Sequence, residues 1–108
     1  MITAEIVNGL QEVIFMKDWT FITNHGLVLL YISQHPQCTT RDMAAAMNVT
    51  ERTVRRALDD LERDGYISWQ RAAAGNIYQI ERESGLRHEM TRDLVVDDLL
   101  HIVNYKNK

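Results

Sequence analysis

The sequence predicts a mainly α-helical single domain, residues 1–108, that carries a small β-hairpin. Three observations lead to this fold class. Apolar residues recur at helical spacing along most of a chain that contains one proline and five glycines. Residues 39–64 have the pattern of a helix, a tight turn and a second helix. Residues 66–81 then contain two short stretches in which large and polar residues alternate, separated by a turn sequence.

The first helix of this pair carries its own start and stop signals. Thr39 is a good N-cap, and Asp42 follows three residues later, close to the arrangement of a capping box. Met43 and Met47 share one helical face. Asn48 comes next, and asparagine tolerates the left-handed conformation that ends many helices.

The second helix is predicted to begin after Thr50, a favourable N-cap, and to end at Gly65. Glu51 suits the positive end of the helix dipole. The predicted buried stripe recurs at i, i+4 and i+7: Val54, Leu58 and Leu61. Two helices of this length and spacing are typical of a DNA-reading helix-turn-helix, here residues 39–64.

A hairpin is predicted directly after the second helix. Its strands run from Tyr66 to Arg71 and from Ile77 to Glu81, with Gly75 and Asn76 as turn residues. A helix-turn-helix followed by a hairpin is the winged-helix arrangement, in which residues 66–81 form the wing.

Additional helices are predicted on both sides of this unit. Residues 3–16 carry an apolar stripe, and a helix opened by Thr23 or Asn24 is stopped by Pro36. A last helix opens at Thr91 or Asp93 and runs to about residue 104. The terminal segments, 1–18 and 91–104, carry more apolar residues than so small a monomer needs to bury, so we expect them to form a homodimer.

Composition excludes several classes of protein. No apolar run approaches the roughly 18 residues of a membrane span, and the first residues lack the basic region of a secretory signal. A single cysteine, Cys38, fits a reducing cytoplasm, which is the expected location. No phosphate-binding glycine loop, nucleophile elbow or metal-protease motif is present, so we expect neither an enzyme nor a cofactor.

The charge distribution bears directly on DNA binding. The formal net charge is −3, and no stretch of the chain is basic as a block. On the second helix of the motif, however, arginines lie in the first two turns and acids in the later turns. The N-terminal part of a recognition helix is the part that enters the DNA groove.

The candidate DNA contacts fall into three groups. Arginine binds guanine edges or phosphates, and threonine hydroxyls reach either. The candidate residues lie at the start of the first helix of the motif, on its second helix and on the wing: Thr40 and Arg41; Thr50, Arg52, Thr53, Arg55 and Arg56; Arg71 and Asn76.

Each group also has a purely structural interpretation. The arginines of the second helix would form a solvated face with i, i+4 pairs to Asp59 and Asp60. Thr39 and Thr40 open a helix, where a threonine is often only a cap. The alanine-rich wing would be an exposed hairpin. Within a helix-turn-helix, we favour the DNA interpretation.

Cysteine and histidine offer further candidate sites. Cys38 is interpreted as a partly buried thiol, with a redox sensor as the alternative. The histidines are not spaced at i, i+3 or i+4 and no Cys-x-x-Cys is present, so no metal site is expected. They are His25, His35, His88 and His101.

Three segments carry a family resemblance: WTFITNHGLVLLYISQHP, TERTVRRALDDLERDGYI and LRHEMTRDLVVDDLL. From about Trp19 to Val103, the chain resembles small bacterial winged-helix transcriptional regulators of the MarR and ArsR superfamily. The resemblance implies DNA binding by a dimer formed through the terminal helices. Wings in this group often carry several basic residues, whereas the wing here reads RAAAGN with one arginine.

The predicted function is a homodimeric transcriptional regulator that binds double-stranded DNA. The main alternative is a winged helix that binds protein rather than DNA, which the acidic net charge and the weakly basic wing favour. A third interpretation is a regulator that responds to an unknown small-molecule effector.

Overall fold

The computed structural model describes residues 20–104, and the helix predicted over residues 3–16 lies outside them. The elements in chain order are α1 (Asn24–Gln34), β1 (Gln37–Cys38), α2 (Thr40–Met47), α3 (Glu51–Arg63), β2 (Ile67–Ala72), β3 (Gly75–Ile80), a 3₁₀ turn (Glu89–Thr91) and α4 (Val96–Val103). The described residues thus confirm the predicted fold class, mainly α with a small β-sheet.

Helix α1 lies at the centre of the fold and begins where the sequence predicted. The Thr23 hydroxyl accepts a hydrogen bond from the Gly26 amide at 3.2 Å, and the helix ends two residues before Pro36. Its side chains Val28 and Ile32 are buried almost completely. Helices α2, α3 and α4 and strand β3 all contact α1.

The caps of the helix-turn-helix form as predicted. The Thr39 hydroxyl accepts from the Asp42 amide at 3.0 Å while the Asp42 carboxylate accepts from the Thr39 amide at 3.1 Å, which completes a capping box. Asn48 ends α2 with φ +58°. Thr50 caps α3 by accepting from the Thr53 amide at 3.1 Å. These local bonds set where both helices begin and end.

The hairpin belongs to a three-stranded antiparallel sheet with strand order β1-β3-β2. Strand β1 was not predicted, because its two residues have no alternation that would mark a strand. Gln37 and Cys38 pair with Ile77 and Asn76 of β3. The pairing ties the segment before α2 to the wing.

The predicted turn of the hairpin was wrong by two residues. Ala73 and Ala74 form the turn, whereas Gly75 and Asn76 are the first residues of β3. Gly75 has φ +95°, a conformation that suits a glycine directly after a tight turn. A Cβ atom at Gly75 would also lie 2.5 Å from the Cys38 carbonyl oxygen, so glycine allows β1 and β3 to meet.

The last helix begins at Val96, not at the predicted Thr91 or Asp93. The backbone before it is extended because it pairs with another segment. Leu86 donates to the Leu94 carbonyl at 3.1 Å, and Val96 donates to the Ser84 carbonyl at 2.8 Å. Residues 94 and 95 therefore cannot also be helical.

The core is apolar and lies between the helices and the base of the hairpin. Buried residues of α1, α2, α3 and α4 pack in one cluster, so the four described helices share one core. The largest fully buried side chains are Val28, Ile32, Met43, Val54, Val96 and Leu100.

Candidate nucleic-acid interface

Helix α3 separates its apolar and basic residues onto opposite sides. Residues Val54, Ala57, Leu58 and Leu61 are buried in the core. Arg52, Arg55 and Arg56 are exposed. At 100° per residue, Arg52 and Arg56 lie on the side opposite the buried stripe and Arg55 lies on its flank. We call these three residues, together with exposed Arg41 at the start of α2, the arginine face.

Arg52 and Arg56 form no ion pair with any of residues 20–104. Together with Thr53, they border a cleft of about 430 Å³ between α3 and the first residues of α1, Asn24 and His25. Neither guanidinium group is neutralised by a carboxylate of residues 20–104. This arrangement suits an incoming anion or a base edge.

Arg41 and Arg55 are instead held by Glu51. The Arg55 Nη2 atom lies 3.1 Å from Glu51 Oε1, and the Arg41 Nε atom lies 3.8 Å from Glu51 Oε2. The Thr40 hydroxyl also donates to Oε1 at 3.1 Å. The structure thus brings Thr40, Arg41 and Arg55 together around a carboxylate that sequence analysis had not placed in the site.

The i, i+4 pairs of the alternative, purely structural interpretation are not the pairs that form. Arg55 contacts Glu51 one turn earlier, not Asp59. Asp60 accepts from His25 and Arg63 and makes no ion pair with Arg56. Arg55–Glu51 is itself an i, i+4 pair within α3, whereas the contacts of His25 with Asp60 and of Arg41 with Glu51 come from α1 and α2.

Thr50 and Thr53 have structural roles besides their predicted place in the site. The two hydroxyl oxygens are 3.0 Å apart, and Thr50 Oγ1 also caps the helix. Loss of Thr50 would therefore disturb the start of α3 as well as any contact that its hydroxyl makes.

The two predicted wing residues lie opposite each other on β2 and β3. Arg71 pairs with Asn76 in the ladder, one pair before the Ala72–Gly75 pair that closes the hairpin. Arg71 is exposed, whereas Asn76 is half-buried and donates to the Tyr78 hydroxyl at 3.3 Å. Arg71 is therefore the one of these two that extends toward solvent.

His25 connects the start of α1 to α3. Its Nε2 atom lies 2.8 Å from Asp60 Oδ2, and Arg63 lies 3.1 Å from the other oxygen. The hydrogen bond from His25 and, to a lesser extent, the charge of Arg63 lower the pKa of Asp60. This contact joins residues far apart in the sequence and helps to fix the orientation of α3.

Cys38 lies in the core, with 4% of its surface exposed. Burial, and secondarily the negative charge of Asp42, raise the pKa of its thiol to about 11. Since the thiolate is the reactive form, this environment disfavours a redox-sensing role.

Residues 20–104 contain no group of three or more metal-binding side chains and no helix that is long and apolar enough to cross a membrane.

A second cleft, of about 360 Å³, lies away from the arginine face. It separates α1 and the end of α3 from α4 and the segment before it. Its apolar lining includes Leu29, Leu61, Leu86, Val96 and Leu99. The polar residues at its rim, such as Asp64 and Arg87, pair with one another.

Comparison with known proteins agrees with this architecture. Residues 23–68 match the family model described as winged helix-turn-helix DNA-binding, which extends from the cap of α1 into β2. The chain has the winged helix-turn-helix fold. A solved structure, the crystal structure of SSV1 F-93, is 17% identical and has a TM-score of 0.53.

That likeness covers 84% of this chain and 98% of the other, and at such identity it concerns the fold alone. No curated protein sequence matches the chain. The family match supports a DNA-binding, non-enzymatic regulator in general.

Proposed function

We propose that this protein is a transcriptional regulator that inserts the N-terminal half of α3 into the major groove of double-stranded DNA. The observation that carries the proposal is the pair Arg52 and Arg56. Both are exposed opposite the buried stripe of α3, and neither has an ion-pair partner among residues 20–104. Arginine at this position of a recognition helix bonds guanine O6 and N7 or clamps phosphates.

The remaining predicted residues take supporting positions in this proposal. Arg41 and Thr40 open α2, where a helix start is suited to the phosphate backbone. Arg55 lies beside Arg52 and Arg56 on the arginine face. Arg71 lies on the exposed side of the wing, where it would contact the phosphate backbone or the minor groove.

We propose further that the protein acts as a homodimer and falls within the MarR and ArsR superfamily that its sequence resembles. Ile102 of α4 is 72% exposed although the neighbouring Leu100 is buried, so α4 presents an apolar residue to solvent. Leu94 and Met90, just before α4, are also exposed. A twofold dimer would place two copies of α3 about 34–36 Å apart on one side of the DNA.

The dimer is tested by sedimentation of the full chain at micromolar concentration. We expect a dimer for the wild type and a monomer for Ile102→Glu, because a charge at the centre of an apolar contact is costly to bury. A wild-type protein that sediments as a monomer would contradict this part of the proposal.

A small-molecule effector is a further part of this proposal. Its site would be the cleft lined by Leu29, Leu61 and Leu99. A metabolite that binds the folded protein there would raise its melting temperature in a screen. Leu99→Trp, which fills the cleft, should abolish that rise. A rise that persists in this variant would place the ligand elsewhere.

The alternative of a protein-binding winged helix is favoured by a different observation. The net charge is −3, and Glu51 already neutralises part of the arginine face. The two functions differ in salt dependence. DNA affinity falls steeply as salt rises because phosphate contacts release counterions, whereas binding to a protein through apolar contacts does not.

The deciding experiment is selection of bound duplex from a random pool at low salt, followed by affinity measurements over a range of salt. We expect enrichment of one sequence. For Arg52→Ala combined with Arg56→Ala, we expect an affinity loss on the order of 100-fold, since each good arginine–base contact contributes about 1–3 kcal/mol.

Arg87→Ala combined with Arg92→Ala is the matched control. It removes two positive charges away from the arginine face, where Arg87 and Arg92 pair with Asp64 and Glu89. Failure to enrich any sequence, or an equal loss in the control, would count against the proposal.

A further inference from the structure

We infer that Glu51 restrains the binding of this protein to unselected DNA by holding Arg41 and Arg55 of the arginine face. The inference rests on the proposed function and adds to it a residue that limits how strongly the protein binds the backbone of DNA of any sequence.

The geometry around Glu51 resembles that around a bound phosphate. One carboxylate oxygen accepts from the Thr40 hydroxyl and from Arg55 Nη2, both at 3.1 Å, and the other lies 3.8 Å from Arg41 Nε. A carboxylate and a phosphate present oxygens that the guanidinium group binds in the same way. Glu51 therefore occupies the Thr40 hydroxyl and one donor of Arg55, and its charge attracts Arg41, where the DNA backbone would otherwise bind.

The exposure of these side chains indicates that the ion pairs of Arg41 and Arg55 with Glu51 are weak enough to break. Arg41 is 87% exposed and Arg55 62% exposed, whereas Glu51 is 37% exposed and anchored between α2 and α3. Ion pairs between exposed side chains are weak, so a strong competing anion can displace the carboxylate. The arginines can move away, while the Thr40 bond and the positive end of the α3 dipole keep Glu51 in place.

The position of Glu51 explains why the effect falls on the DNA interface. It is the first residue of α3, directly after the Thr50 cap, at the end of the helix that would enter the groove. Arg52 and Arg56 on the same helix have no such partner in the part of the chain that the structure describes. Of the four residues of the arginine face, Arg41 and Arg55 thus pair with Glu51, whereas Arg52 and Arg56 pair with no acid among residues 20–104.

This division separates contacts that do not depend on DNA sequence from contacts that do. Phosphates are present in every sequence, so a negative charge that competes for Arg41 and Arg55 weakens binding to all DNA by a similar amount. Base contacts through Arg52 and Arg56 are gained only at a matching site. Glu51 therefore lowers the affinity for every duplex, so that stable binding depends on the additional base contacts of a matching site.

The test is Glu51→Gln in the full chain, with binding measured to the selected duplex and to an unselected duplex of equal length. Glutamine keeps the size of the side chain and an oxygen that accepts from Thr40, but it removes the charge. We expect affinity for unselected DNA at low salt to rise about fivefold, since two weak ion pairs are released. The dependence on salt should become steeper, and the affinity for the selected duplex should rise by a similar factor.

Asp59→Asn is the matched control. Asp59 is an exposed acid on the same helix that makes no ion pair with Arg41 or Arg55. An equal gain in this variant would show that overall charge is responsible, which overturns the inference. Melting temperatures of both variants report whether the fold is intact.

A second arm uses a protein in which Arg41 and Arg55 are both alanine. Adding Glu51→Gln to it should give no further gain, because the arginines that Glu51 holds are gone. The same gain in that background, or weaker binding of the single Glu51→Gln variant, would overturn the inference. If neither the wild type nor any variant binds duplex DNA at low salt, the proposed function itself fails, which is a different pattern of results.

Discussion

Replacing Gly75 with alanine tests how closely the wing approaches the start of the helix-turn-helix. Gly75 has φ +95°, and a Cβ atom there would lie 2.5 Å from the Cys38 carbonyl oxygen and 2.8 Å from the carbonyl carbon. Both are backbone atoms, so no side-chain rotation can make room. Gly65 is a matched control, because its φ is +84° but nothing lies within 4 Å of the added atom.

The two substitutions should differ by the cost of this collision. A left-handed conformation costs an ordinary residue about 1–2 kcal/mol, which is the loss expected for Gly65→Ala. Gly75→Ala carries the same strain and also forces β1 away from β3, and added atoms in a packed region typically cost about 1–3 kcal/mol. We therefore expect a total loss of about 3–4 kcal/mol at Gly75. For a domain of this size, that lowers the melting temperature on the order of 15–25 °C.

Denaturant unfolding of the two variants and the wild type measures this difference. The midpoint should shift in each variant without a change in the slope of the free energy against denaturant concentration. If Gly75→Ala loses no more free energy of unfolding than Gly65→Ala, the close approach of Gly75 to the Cys38 carbonyl is not a feature of the folded protein.

Three further predictions follow from local contacts. Asn48, with φ +58°, should tolerate glycine, whereas Asn48→Ala should lower the free energy of unfolding by about 1 kcal/mol; equal stability of the two variants would contradict this. Cys38 should react slowly with iodoacetamide at pH 8 in the native protein and quickly in denaturant, because burial raises the pKa of its thiol to about 11. A fast native reaction would show that the thiol is accessible. Asp60, whose pKa is lowered by its hydrogen bond to His25, contributes stability that is present above its unfolded pKa near 3.8 and is lost as pH falls through the lower folded value. Asp60→Asn should remove this part of the acid dependence, and NMR titration should show a higher pKa for Asp60 in His25→Ala.

The helix boundaries in the middle of the chain were predictable from the sequence. The Thr39 and Thr50 caps, the left-handed Asn48 and the end of α3 before Gly65 all formed as expected. Each depends on hydrogen bonds or dihedral preferences within about four residues, so the information lies in a short window. The buried stripe of Val54, Leu58 and Leu61 likewise follows from helical periodicity alone.

The elements that were missed depend on distant partners. Strand β1 exists only because β3 pairs with it, and the turn lies at Ala73 because Gly75 is needed beside Cys38. Helix α4 begins at Val96, later than predicted, because the preceding backbone pairs with residues 84–86. Such pairing joins segments whose register is not visible in a local pattern.

The candidate site divides in the same way. The sequence by itself determined that α3 has an arginine-bearing side opposite an apolar one, because helical geometry fixes the angle between residues three and four apart. The Arg55–Glu51 pair is an i, i+4 contact within α3, whereas Arg41 meets Glu51 only because α2 packs on α3. His25 reaches Asp60 across 35 residues of sequence for the same reason. Side-chain charges are encoded locally, but which charges neutralise each other depends on how the helices pack.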